Sequence, residues 1–129
     1  MKNGEYLIGI DIGTSGCKVA LFASDGTVHF QGTQTYSTYY PGPGFAEQNP
    51  EEWWRAVGDN LRHMFAQTGV DPGQIKGIGV DGQSGSAIPM DRQGRPLRNS
   101  MIWLDRRSVP QYEQLKSRMD EAELFRVSG

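Results

Sequence analysis

The residues best equipped for chemistry stand near the start of the chain, in Gly9-Ile10-Asp11-Ile12-Gly13-Thr14-Ser15-Gly16-Cys17-Lys18. An apolar run, Tyr6 to Ile10, leads into one carboxylate, then into a turn of two glycines and two hydroxyls. A second apolar run, Val19 to Phe22, follows Lys18. The pattern predicts a hairpin with a narrow, polar tip. Backbone N–H groups in such a turn can converge on an anion, because Gly13 and Gly16 tolerate unusual dihedrals and put no Cβ in the gap. An ordinary Gly-Thr-Ser hairpin turn is the plainer reading of the turn alone. The flanking Asp11 and Lys18 favour the anion site. A phosphate site that works through magnesium needs a carboxylate for the ion's water shell and donors for the phosphoryl oxygens.

Two other stretches could carry chemistry. Asp81-Gly82-Gln83-Ser84-Gly85-Ser86 is polar and glycine-rich and follows an apolar run. Asp105 with Arg107 reads either as an ion pair at a helix start or as a hydroxyl-recognition pair, with the carboxylate accepting from a sugar and the arginine fixing it. Their position straight after Ile102-Trp103-Leu104 tilts the reading towards a site. Gly77-x-Gly79-x-x-Gly82 formally matches the dinucleotide-binding fingerprint, but no helix is expected to follow it. The opening loop lacks the Gly-Lys-Ser/Thr ending of a P-loop.

The elements that must position these residues are legible in outline. Ser24-Asp25-Gly26-Thr27 is a tight turn, so the first 36 residues form three antiparallel strands, the third over Val28 to Tyr36. Tyr39 to Phe45 is a connecting loop broken by two prolines and two glycines. A helix starts at Asn49-Pro50-Glu51-Glu52, with Asn49 as cap, Pro50 in the first position and Glu52 in the capping-box place. Trp53, Val57, Leu61, Met64 and Phe65 share its core face, Trp54 points elsewhere, and Gly69 ends it. His29 and His63 are isolated and read as surface or boundary histidines. A fourth strand, Ile75 to Val80, can pair parallel to the first across the long helical crossover. Asp11 and the Asp81-to-Gln83 stretch would then lie at neighbouring strand ends, where ligands of open α/β sheets collect. Ala87 to Met90 is expected as a fifth strand, Ser108-Val109-Pro110 as the start of a second helix, and Asp120 as the cap of a last short helix through Phe125.

Bulk properties narrow the classes. The chain has 129 residues, 36% hydrophobic and 22% charged, with a net charge of −2. That is enough for one domain with a core. No basic run points to nucleic acid or an anionic membrane, and no apolar run is long enough to span a bilayer. Cys17 is the one cysteine; it reads as an apolar filler on a buried strand, with no disulfide and no cysteine zinc site. A cytoplasmic location is expected.

Several segments together resemble the N-terminal part of the FGGY carbohydrate kinases, a family that includes xylulokinase, glycerol kinase and gluconokinase. They are Ile10 to Lys18, Phe45-Ala46-Glu47-Gln48-Asn49-Pro50-Glu51-Glu52-Trp53-Trp54, Ile78-Gly79-Val80-Asp81-Gly82-Gln83 and Ile102-Trp103-Leu104-Asp105-Arg106-Arg107. The resemblance runs nearly end to end, so the chain would be the N-terminal part of that family's N-terminal domain. It implies an α/β, ribonuclease-H-like (actin-like ATPase) fold with an incomplete mixed five-stranded sheet, and ATP-dependent phosphorylation of a sugar or polyol hydroxyl. By the family pattern Asp11 would help organise Mg2+, and Gly13, Thr14, Ser15 and Lys18 would line the phosphate pocket. Gln83, Ser84, Gly85, Asp105 and Arg107 would serve the sugar side. Xylulokinase-like members carry Met-His after the glutamine and glycerol kinases Arg-Glu, whereas this chain carries Ser84-Gly85. The loop before the first helix looks most like xylulokinases, which makes a ketopentose such as xylulose the first substrate to expect. The family's proton-accepting aspartate, second phosphate loop and adenosine pocket would lie in a C-terminal part of the same enzyme, outside these residues. A general base typically contributes ~10²–10⁴-fold, so the 129 residues alone would be inactive. A non-catalytic sugar- or nucleotide-binding module is the alternative, and a homodimer is one assembly to consider.

Overall fold

The computed structural model describes residues 4–128. Three strands, β1 (Tyr6–Ile12), β2 (Gly16–Ala23) and β3 (Val28–Thr35), form the expected antiparallel meander. The turn between β2 and β3 closes on Gly26 at φ 88°, with the Thr27 N–H on the Asp25 carboxylate at 2.9 Å. A two-residue strand, β4 (Glu47–Gln48), then precedes helix α1 (Pro50–Thr68). After a 3₁₀ turn at Pro72–Gln74, strand β5 (Ile75–Gly82) pairs parallel to β1, giving the order β3-β2-β1-β5. Strand β6 (Ser100–Met101) pairs with β4 in a second small sheet, and helices α2 (Val109–Lys116) and α3 (Glu121–Ser128) follow.

Helix α1 begins and ends as its sequence dictates. The Asn49 side chain accepts from the Glu51 N–H at 3.0 Å, and Gly69 closes the helix in the left-handed region. Glu52, expected to complete a capping box, instead accepts from the Ser37 N–H and the Tyr39 hydroxyl at 3.1 and 2.6 Å. The connection after β3 offers those donors, so the carboxylate ties that connection to the helix start. One face of α1 buries Ala56, Val57 and Met64 against Ile8, Ile10, Val19, Leu21 and Phe30. Fully burying a side chain of this kind is worth about 1.5–3 kcal/mol. Gly32 allows the approach: a Cβ there would meet Phe30 and the Asn60 Oδ1 at under 3 Å. Cys17 is the buried filler expected on β2, and desolvation raises its thiol pKa above the usual value. His63 and His29 stand edge-on to Phe30 and Tyr6.

Trp53 belongs to a second apolar cluster, with Ala46 and Ile102 and flanked by Ile12 and Tyr36. This cluster joins the end of β1 and the start of α1 to the segment that follows β6. Trp54 faces outward and borders a shallow apolar groove with Ile88 and Met90. The fifth strand expected over Ala87 to Met90 does not join the main sheet, which has four strands. The Ala87 N–H bonds the Met101 carbonyl at 2.9 Å, and Pro89 has no N–H for a ladder. Ile78 and Val80 of β5 remain 58% and 66% exposed, because α1 packs over β2 and β3 rather than over this edge. No helix among the described residues is long and apolar enough to cross a membrane.

Candidate active site

The sheet register sets out the site. Asp11 on β1 is opposite Lys18 on β2 and beside Asp81 on β5, and Lys18 is opposite Thr33 on β3. Strand alternation puts this row on the face away from α1, since the intervening Ile10, Cys17 and Val19 point into the core. Asp11, Gly13, Thr14, Ser15, Gly16 and Lys18 line one concave site of about 260 Å³ with Thr33 and Thr35. Every residue expected around the phosphate is therefore in one place.

The turn itself is held from behind by its carbonyls. Ile12 C=O accepts from the Gln83 N–H at 3.0 Å, Gly13 C=O from the Tyr36 hydroxyl, and Thr14 C=O from Gln48 Nε2 at 2.7 Å. The Thr14 hydroxyl accepts from the Trp103 indole N–H at 2.9 Å. The Gly13 N–H closes the turn onto Gly16 C=O at 3.1 Å, whereas the N–H groups of Thr14 and Ser15 have no bond to the described residues. With the carbonyls anchored, two donors are left for an anion. The glycines work differently from expectation: neither Gly13 nor Gly16 has a positive φ. Gly16 is required by space, since a Cβ there would lie 2.6 Å from the Gln34 carbonyl oxygen.

Tyr36 is the least conspicuous of these braces. It sits beside Trp53 with its hydroxyl on the Gly13 carbonyl, and burial, followed by the neighbouring Cys17 and Asp11, pushes its phenol up to about 12. A raised pKa means that the stabilisation is complete below about pH 10, the ordinary tyrosine value, and is lost as pH rises through about 12. Ultraviolet titration is expected to show one phenol ionising near pH 12, absent from Tyr36→Phe. A phenol that still ionises near pH 12 in Tyr36→Phe would contradict the assignment to Tyr36.

On the other side, Gln83 is tied into the turn, while Ser84 and Gly85 are exposed, Gly85 at φ 69° beside Trp103. Trp103, absent from the expected site residues although part of the quoted motif, is 57% exposed. Asp105 and Arg107 are together but engaged with the protein. Arg107 bonds Asp105 at 2.7–3.0 Å and Glu47 at 2.6 Å and stacks on Phe45 at 4.0 Å, while Asp105 also accepts the Ala46 and Arg107 N–H groups. Arg107 first, then the two backbone donors, holds the Asp105 carboxyl far below the usual carboxylate range. Both Asp105 oxygens are occupied, which is the ion-pair arrangement of the two readings. Among the described residues there is no cluster of three side chains able to ligate a metal. An ion here would rest on Asp11 and phosphate oxygens, the usual manner for magnesium.

The turn from Gly13 to Gly16, with two unengaged N–H groups, joins β1 to β2 beside the end of β5 and belongs to an α/β module. Residues 6–129 match the model of the FGGY family of carbohydrate kinases, N-terminal domain, and the chain belongs to that family. It is 33% identical over 112 residues to glycerol kinase of Thermococcus gammatolerans, covering 87% of this chain and 23% of that relative. Among solved structures it is similar to xylulose kinase from Rhodospirillum rubrum, with a TM-score of 0.83 and 26% identity, covering 92% of this chain and 24% of that one. It shares its fold with Plasmodium falciparum glycerol kinase with ADP, with a TM-score of 0.83 at 19% identity, over 92% of this chain and 24% of that one. The chain thus spans about a quarter of the length of these relatives. The fold is that of the actin-like ATPases, represented here by part of a domain.

Proposed function

We propose that this chain supplies the phosphate loop and part of the acceptor side of an enzyme that transfers a phosphoryl group from ATP to a hydroxyl of a sugar or polyol. The observation that carries this is the turn at Gly13 to Gly16, whose carbonyls are anchored and whose Thr14 and Ser15 N–H groups are unengaged. These donors and Lys18 would hold phosphoryl oxygens, and Asp11 would hold the water shell of Mg2+. Magnesium, when bound, neutralises charge on the transferring group. Gln83, Ser84 and Gly85 would meet the acceptor, with the exposed ring of Trp103 as an apolar wall. Asp105 and Arg107 would serve the acceptor side by holding the Trp103 segment against Glu47 and Ala46. The acceptor's proton would pass to a base outside these 129 residues. A ketopentose such as xylulose is the first acceptor to try, on the loop before α1 and the xylulose kinase neighbours; glycerol is the second, on the glycerol kinase relatives.

The test is a coupled ADP-release assay of the complete gene product with ATP-Mg2+ and a panel of pentuloses, hexonates and polyols. Acceptor-dependent ADP release is expected with at least one, and residues 1–129 alone are expected to show none. ADP release that no acceptor alters would overturn the proposal.

A further inference from the structure

Trp103 is fixed by its backbone and open at its ring. Ile102, just before it, is buried with Ala46 and Trp53, and the Ile102 N–H donates to the Ala46 carbonyl at 3.2 Å. The Asp105 N–H closes a tight turn onto the Ile102 carbonyl at 2.8 Å, and the Asp105 side chain is locked by Arg107. The Trp103 side chain between these anchors is 57% exposed. Its one hydrogen bond among the described residues is the donation from Nε1 to the Thr14 hydroxyl at 2.9 Å. An indole N–H only donates, so the hydroxyl must be the acceptor in this bond. The hydroxyl's own proton then has no acceptor among the described residues, and Thr14 lines the concave site with Asp11 and Lys18. The Trp103 Cβ also lies against Gly85, where an added Cβ would stand 3.7 Å from it. One side chain thus touches both the turn and the Ser84-Gly85 stretch.

We infer that Trp103 is a positioning residue whose indole N–H turns the Thr14 hydroxyl so that it donates to a phosphoryl oxygen, and that this bond makes the nucleotide and the acceptor bind synergistically. This rests on the functional reading above and deepens it. An acceptor packed on the exposed ring holds the ring where Nε1 meets Thr14. A phosphoryl oxygen that takes the Thr14 proton strengthens the same bond, because a hydroxyl that donates accepts better. By linkage, each ligand tightens the other by one common factor.

The test is calorimetric titration of the complete protein with adenylyl imidodiphosphate and Mg2+, with and without a saturating amount of the acceptor that drives ADP release. The ratio of the two Kd values measures the synergy. Wild type is expected to bind the nucleotide analogue about 3- to 10-fold more tightly with acceptor present, the scale of one hydrogen bond. Trp103→Phe keeps an apolar ring but has no N–H, and Thr14→Val keeps shape but has no hydroxyl; both are expected to bring the ratio close to one. Thr14→Ser restores the hydroxyl and the synergy. The double variant should lose no more than either single one, because both remove the same bond. A purely structural role would weaken each ligand and leave the ratio alone. A ratio near one in wild type, an unchanged ratio in Trp103→Phe, or additive losses in the double variant would overturn the inference. Nuclear magnetic resonance of nitrogen-labelled tryptophan reads the bond without turnover. The indole signal missing from Trp103→Phe should shift in Thr14→Val and on adding the nucleotide analogue, and a signal indifferent to both would refute the bond. That shift in a protein that no acceptor activates would count against the kinase reading alone.

Discussion

Asp11→Asn in the complete protein is expected to lower kcat for phosphotransfer about 10²–10³-fold, the scale seen when one preorganised electrostatic group is removed from an active site. The substitution keeps shape and removes charge. Asp11 is exposed at the end of β1 and contributes nothing to the apolar core, so the melting temperature should change little. The loop N–H groups of Thr14 and Ser15 and the Lys18 ammonium remain, so nucleotide binding should fall much less than turnover. Raising the magnesium concentration should restore part of the rate, because the variant holds the ion's water shell less well. Steady-state kinetics across a magnesium titration, with thermal melts alongside, separate these effects. A variant within tenfold of wild type at every magnesium concentration would remove Asp11 from the reaction.

The Asp11-to-Lys18 half of the candidate site was the more legible, and the reason is local. Asp11, the two glycines, two hydroxyls and Lys18 are contiguous, and strand alternation alone puts Asp11 and Lys18 on one face. The meander, the α1 caps and the parallel pairing of β5 are likewise set by short-range signals such as Asp25-Gly26 and Asn49-Pro50. The braces behind the turn were not visible, because they come from Tyr36, Gln48 and Trp103, separated from it by long stretches of chain. Residues 87–90 looked like a strand by composition, but where their backbone donors go depends on Met101, which no local pattern reveals. Asp105 and Arg107 were recognised as a pair without their third member: Glu47 is 60 residues away from Arg107 and completes the ion cluster only in the folded chain.

That cluster supports the second large effect. The Asp105 side chain is 6% exposed and takes the Arg107 guanidinium on both oxygens, with the Ala46 and Arg107 N–H groups as further donors. Asp105→Asn replaces one of these acceptors by an NH2 that faces donors, and it leaves the guanidinium short of a countercharge. A loss of about 2–4 kcal/mol is expected, read as a fall in melting temperature of about 10 °C. The pH dependence follows from the sign of the shift. The folded pKa is depressed below the unfolded value of about 3.9, so the stabilisation is complete above about pH 5 and fades as pH falls through and below 4. The gap between wild type and variant should thus stay constant from pH 5 to 8 and narrow steadily below about pH 4. A gap that fails to narrow would deny that the charge of Asp105 is its source. The same variant decides between the two roles open to the pair. Because Asp105 binds the Ala46 N–H, and Ala46 packs with Ile102 and Trp53, a scaffold role predicts lost stability with polyol discrimination intact once the protein is folded. A hydroxyl ligand would do the reverse, losing one polyol while the melting temperature holds.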